Sequence, residues 1–172
     1  MKIGTKSLLY GAHQFFLHPW YVARAWSKLY GFPRDPRLWV AFMVHDWGYF
    51  GKSNMDGPEG ETHVELGARI MGCLFGQAWG DFCRYHSRFY ANADGKPYSR
   101  LCYADKLSVA IMPRRVYLAL AKATGEIREY MGRCSAGEKY SVHNIDVTSE
   151  EAWFANVCAY LVRFVQDETG AE

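Results

Sequence analysis

Three observations predict an all-α fold. Apolar residues recur at helical spacing along most of the chain, turn and cap signals cut that pattern into helix-length pieces, and no stretch alternates apolar with polar residues as a half-buried strand does. At 172 residues the chain suits one domain with a substantial core. A single-domain helical bundle over residues 1–172 is therefore expected, with the chemistry-bearing part over about 13–112 and further helices over 113–172.

The elements follow in order. Ser7 to Tyr30 is apolar and aromatic at helical spacing, and Pro19 is expected to start a new helix there or kink the first. Val22, Ala25, Trp26 and Leu29 form its buried stripe. Asp35 is a candidate N-cap with Pro36 at the first helical position, and the helix that follows delivers His45 and Asp46 at its C-terminal end. Trp47 to Glu61 holds four glycines, Pro58 and a polar run, so a long functional loop is expected. Thr62-x-x-Glu65 has the form of a capping box and would put His63 in the first turn of the next helix. Helices are then expected over Trp79 to Phe89, Ser99 to Ile111, and Pro113 to about Arg133. Asn92 to Pro97 is turn-rich, and Cys134 to Asp146 is polar and irregular. Thr148-x-x-Glu151 is a second capping box, opening a last helix with Trp153, Phe154, Val157, Leu161 and Phe164 inward.

Composition narrows the class. Apolar residues make up 49% of the chain and aromatics 16%, more rings than a small core needs, so a homo-oligomeric interface is one expectation. A net charge of +2 is too mild to argue a nucleic-acid surface, while leaving room for small anionic ligands. Five scattered cysteines without a C-x-x-C pair read as thiols in a reducing compartment. With no signal-peptide pattern and no run of about 18 apolar residues, a cytoplasmic protein without membrane association is expected.

The chemistry lies in four histidines and two aspartates, His18, His45-Asp46, His63, His86 and Asp105, each group on a different expected helix or helix end. Imidazole nitrogen and carboxylate oxygen from packed helices are the donors of divalent-metal sites in helical bundles. Asp46 is the natural bridge, because its two oxygens can face two ions. His18, His45 and Asp105 would complete one site, and His63 and His86 would hold the second or, with a single ion, orient water or phosphate. His13 competes with His18 as first ligand; otherwise it would touch substrate or hydrogen-bond in the core. The expected cofactor is one or two divalent transition-metal ions, Zn, Mn, Co or Fe.

On His18-x-x-x-Val22-Ala23, His45-Asp46-Trp47-Gly48, His63-Val64-Glu65-Leu66-Gly67-Ala68, Tyr85-His86-Ser87-Arg88 and Ala104-Asp105-Lys106-Leu107, the chain resembles the HD-domain superfamily of metal-dependent phosphohydrolases. The resemblance implies an HD-type helical bundle around a metal site, favours His18 over His13, and implies hydrolysis of phosphate esters or anhydrides, often of nucleotides. Size and the Gly57-Pro58-Glu59-Gly60-Glu61-Thr62-His63 loop also resemble the compact phage-type deoxynucleoside triphosphate triphosphohydrolases, including those acting on dATP. Tyr49 stands where that superfamily often carries a lysine after the glycine, and Lys52 could replace it from the loop.

Around these ligands, Lys52, Arg88, Arg100 and Lys106 could neutralise phosphate oxygens. Glu59 and Glu61 could serve as general acid or base, although Glu61 could equally serve a helix start. Trp20, Trp47, Tyr49, Phe50 and Pro58 could wall a nucleobase or simply belong to the core. Arg114-Arg115 could clamp phosphate but suits a solvated face, and His143 sits in a polar segment expected to be solvated. The leading expectation is a hydrolase converting a (d)NTP such as dATP to nucleoside and triphosphate. Nucleoside monophosphate or dinucleoside-polyphosphate hydrolysis is the near alternative. A di-iron oxygenase and a non-catalytic nucleotide-sensing module are the alternatives of other classes, since the same six side chains serve several chemistries.

Overall fold

The computed structural model describes residues 1–136 and 145–170, and within them every regular element is helical. Eleven α-helices follow one another: α1 Ile3–Tyr10, α2 Leu17–Tyr30, α3 Pro36–Val44, α4 Pro58–Glu61, α5 Val64–Phe75, α6 Gln77–Arg84, α7 Arg88–Ala93, α8 Arg100–Ile111, α9 Arg114–Thr124, α10 Glu126–Ser135 and α11 Glu150–Thr169. His143 falls outside the described residues. No helix among the described residues is long and apolar enough to cross a membrane, and all five cysteines are free thiols.

Cap chemistry accounts for several boundaries. Asp35 accepts from the Arg37 backbone N–H with Pro36 in the first turn of α3, as its sequence predicts. Pro19 sits in the first turn of α2, where its missing N–H costs nothing, so it opens a helix and does not kink one. The two expected capping boxes do not form. His63 itself is the N-cap of α5, while the Thr62 hydroxyl takes a hydrogen bond from Lys52 and Glu65 accepts from Tyr90. Ser149, one residue beyond Thr148, caps α11 by accepting from the Ala152 N–H, because Thr148 is engaged by Asp146.

Three expected elements are divided. The loop after Asp46 contains a 3-10 turn at Trp47–Tyr49 and the short helix α4. The helix expected over Trp79 to Phe89 ends at Arg84; His86 lies in the turn before α7, which Ser87 caps. The helix expected from Pro113 breaks at Gly125, which is left-handed with φ 88° and separates α9 from α10.

Two apolar clusters organise the packing. Val22, Ala25, Trp26, Phe42, Met71 and Leu101 join α2, α3, α5 and α8. Leu8, Leu118, Ile127, Trp153, Phe154 and Leu161 join α1 with the C-terminal helices. Helix α8 packs against both α2 and α11, so residues on it are reached from both halves.

Candidate metal centre

Two groups of buried donors meet around one carboxylate. His18 and Asp105 come from α2 and α8, His45 and Asp46 from the C-terminal end of α3, His63 from the start of α5, and His86 from the α6–α7 turn. All six side chains are buried. In the first group, His18 Nε2 lies 3.1 Å from Asp46 Oδ2, 3.1 Å from Asp105 Oδ1 and 3.2 Å from His45 Nε2. His45 Nε2 is 3.3 Å from Asp46 Oδ2 and 3.8 Å from Asp105 Oδ1. In the second, Asp46 Oδ1 is 3.5 Å from His63 Nε2 and 3.4 Å from His86 Nε2, which are themselves 3.1 Å apart. The six residues therefore fall into the two sets expected, with Asp46 presenting one oxygen to each.

These separations suit a metal ion. Ligands bonded at about 2.0–2.2 Å in tetrahedral or octahedral arrangement are themselves about 2.8–3.6 Å apart. The histidines are also set in the ligating tautomer. Nδ1–H of His45 donates to the Phe42 carbonyl at 2.9 Å, that of His63 to Gly60 at 2.7 Å and that of His86 to Cys83 at 2.5 Å. In a neutral ring each such bond leaves a bare lone pair on Nε2, turned toward the other donors. Asp46 Oδ2 is buried without a hydrogen-bond partner of acceptable geometry. A donor set of this kind can hold a metal ion at either group.

Close backbone approach makes the second group possible. A Cβ on Gly48 would lie 1.8 Å from the His63 carbonyl oxygen, so only glycine lets the turn after Asp46 pass under the start of α5. Tyr49, next in the chain, stacks on the His63 ring with centroids 4.1 Å apart and planes 5° from parallel. Burial, then the nearby carboxylates led by Asp46, holds the Tyr49 phenol well above its usual range, so it remains a neutral donor.

Without metal, five of the six groups are displaced from their ordinary values. Burial would lower His18, but the carboxylates of Asp105 and Asp46, each 3.1 Å from its Nε2, outweigh this and raise it to about 9. Burial lowers His45, and lowers His63 to about 3. Burial opposes ionisation of Asp46 and Asp105, yet the charge and hydrogen bonding of their neighbours carry both well below the usual carboxylate range: His45 foremost for Asp46, Lys106 foremost for Asp105. Linkage then fixes the sign for chelator-treated protein. His18 contributes stability that is complete below its unfolded value near 6.5 and lost as pH rises through about 9. His63 acts in the other direction, because below about 6.5 the unfolded chain binds a proton that the folded chain refuses until about 3. Thermal melts of metal-free protein should therefore peak near neutral or slightly acid pH and fall on both sides. A melting temperature that climbs steadily from pH 6.5 to 9 would contradict the placement of His18.

Two of the donors, His63 and His86, line a cleft with two lobes that share Tyr49, Asp56 and Lys106. One lobe is polar and holds Glu61, His63, His86, Ser87, Arg88 and Phe89. The other is lined by His13 with Val109, Tyr117, Tyr130, Trp153, Val157 and Leu161. Lys106 Nζ donates to Asp105 Oδ2 at 2.7 Å; that carboxylate overrides the effect of burial and raises the ammonium above its usual range. Arg88 donates to the Tyr160 hydroxyl at 2.7 Å and lies over the Phe164 ring, so α11 fixes its guanidinium.

Several expected contacts lie elsewhere. Lys52 lines a separate concavity with Thr62, Glu65 and Arg69, and its Nζ donates to Thr62. Trp47 lines an apolar groove with Phe15, Phe50 and Leu66. Trp20 is 56% exposed and, like Pro58 at the start of α4, lines neither lobe of the cleft. Glu59 is engaged by Ser53, and Arg100 lies over the Tyr30 ring. Arg114 and Arg115 are exposed at the start of α9. His13 is not among the converging donors; its Nδ1 is held by Ser7 and Glu126. The aromatic lobe was not legible in the chain: Tyr117, Tyr130 and Trp153 follow ordinary helical core spacing, and only their meeting beside Lys106 distinguishes them.

Comparison with protein-family models, with curated proteins and with solved structures gave no match.

Proposed function

We propose that the chain is a metal-dependent phosphohydrolase of the HD type acting on a nucleotide. The observation that carries this reading is a carboxylate shared by two histidine-containing donor sets, the second of which lines a cleft that holds Lys106 and Arg88. The first group offers four donors and the second three, so the second leaves more room for substrate. Divalent transition ions held there would supply an acidified water and neutralise charge on phosphorus-bound oxygens.

The chain's own groups divide the remaining work. Lys106 stands on the rim common to both lobes, where it can bind a phosphate oxygen while its bond to Asp105 holds it in place. Arg88, fixed by Tyr160 and Phe164, offers a second cationic contact farther along the polar lobe. Glu61, in the same lobe as His63 and His86, is placed to accept a proton from water. The lobe of Tyr117, Trp153, Val157 and Leu161 offers a nucleobase an apolar wall, a role in which the cleft sets these residues in place of Trp20, Trp47 and Pro58.

Purified protein supplied in turn with Zn, Mn, Co and Fe should hydrolyse nucleotides in preference to simple aryl phosphates. A purine deoxynucleoside triphosphate is the first substrate to try. Chromatography should show nucleoside with inorganic triphosphate for attack at the α-phosphorus, or nucleoside with orthophosphate for a monophosphate. Oxygen consumption with no phosphate compound cleaved would replace this reading by an oxygenase.

A further inference from the structure

Glu126 is fully buried and is drawn on from several sides. Its Oε1 accepts from the Ala12 N–H at 3.2 Å and from the Thr124 hydroxyl at 2.6 Å. Its Oε2 accepts from the Tyr130 hydroxyl at 3.1 Å and lies 3.3 Å from His13 Nδ1. Burial raises this carboxyl, but its bond to His13 and the hydrogen bonds around it carry it below the usual range, so it stays ionised. Taking a carboxylate out of water is unfavourable unless it is paired and hydrogen-bonded. The backbone is shaped for it too: a Cβ on Gly11 would fall 2.3 Å from Oε1.

The fold thus brings α10 against the segment between α1 and α2, and the product of that contact is an oriented histidine. His13 is partly exposed and lines the aromatic lobe. Its ring lies 5.3 Å from that of His18 and 5.1 Å from that of Tyr49, at the end of the lobe next to the metal donors. Nδ1 is held on the buried side by Glu126 and by Ser7 at 2.9 Å, which leaves Nε2 for the cleft. A nucleotide with its base in the aromatic lobe and its phosphates at the metal donors would pass its ester oxygen between the two, beside His13.

We propose that His13 is the catalytic residue that protonates the leaving nucleoside oxygen, and that Glu126 is the residue that positions it. This rests on the phosphohydrolase reading above. Water oxygen bonds to phosphorus as the phosphorus–oxygen ester bond breaks, and the electron pair of that bond stays on the nucleoside oxygen. That oxygen takes the proton from His13 Nε2. The attacking water releases one proton through Glu61 to solvent, from which His13 is recharged. Glu126 keeps Nδ1–H aimed at itself and balances the imidazolium charge, the part a carboxylate plays behind a catalytic histidine.

The test uses the metal-loaded full chain with dATP and dAMP, each beside an analogue carrying sulfur in place of the 5′-bridging oxygen. A thiolate leaves without a proton, so it does not need the acid. His13→Gln and Glu126→Gln should each lower turnover of the oxygen substrates by about 10²-fold or more. On the sulfur substrates they should stay within about threefold of wild type, with KM and metal content unchanged throughout. His13 is partly exposed, so His13→Gln answers the question even where Glu126→Gln fails to fold. Equal losses on oxygen and sulfur substrates, or no loss on oxygen, would overturn the role of His13 and leave the phosphohydrolase reading standing. A wild-type protein that cleaves none of the four would overturn both.

Discussion

Asp46→Asn is expected to strip the protein of both ions and to lower turnover by at least about 10³-fold. The change keeps shape and volume but removes the charge that both donor groups share. Asp46 Oδ2 lies 3.1 Å from His18 Nε2 and Oδ1 lies 3.4 Å from His86 Nε2, so one substitution reaches each group. His63→Ala or His86→Ala should behave differently, leaving about one ion per chain because the four-donor group is intact. Elemental analysis of the three purified variants separates these outcomes. Two ions retained in Asp46→Asn would remove the shared carboxylate from the centre.

Gly48→Ala is expected to be the most damaging single-methyl change near the site. Its Cβ would meet the His63 carbonyl oxygen at 1.8 Å and the carbonyl carbon at 2.6 Å. Both are backbone atoms, so no rotamer change relieves the clash; the turn after Asp46 and the start of α5 must separate. Overpacking of this kind costs about 3 kcal/mol at its upper range. For a chain of this size that lowers the melting temperature by about 6–12 °C. The displacement carries His63 with it, so the variant should also lose the ion of the second group. Thermal unfolding followed by circular dichroism, with metal analysis, checks both parts; an unchanged melting temperature would mean that the two segments do not approach as described.

Much of the fold and the donor set could be read from the chain because the signals were local or ordered. Asp35-Pro36 announced α3, and helical spacing announced α2, α8 and α11. His18, His45, Asp46, His63, His86 and Asp105 stood in an order that made them one constellation. The capping boxes failed for a physical reason: Thr62 and Glu65 each satisfied a partner that becomes adjacent only in the folded chain, and Thr148 is taken by Asp146 two residues before it. Glu126 was hidden for the same reason. Its partners Ala12 and His13 lie more than a hundred residues away, at separations of 114 and 113, and nothing near it in sequence sets it apart from an exposed helix-start glutamate. The cleft wall shifted from the loop after Asp46 to α9, α10 and α11 because packing of helices distant in sequence, not the density of aromatics along it, decides which rings share a cavity.

The acceptors behind His45, His63 and His86 are the carbonyls of Phe42, Gly60 and Cys83, each three residues earlier in the chain. Metal-ligating histidines are often steered by a carboxylate side chain, which a point mutation can delete. A main-chain oxygen survives exchange of the side chain that accompanies it. Exchange of the buried side chains at 42 and 83, within what their packing allows, therefore need not turn a ring nitrogen the wrong way, whereas position 60 is held to glycine by the Met55 carbonyl oxygen, 1.9 Å from where a Cβ would stand. The steering of half the donor set thus rests on main chain more than on side chains, and drift in the sequence around the centre need not carry drift in the geometry it offers a metal ion.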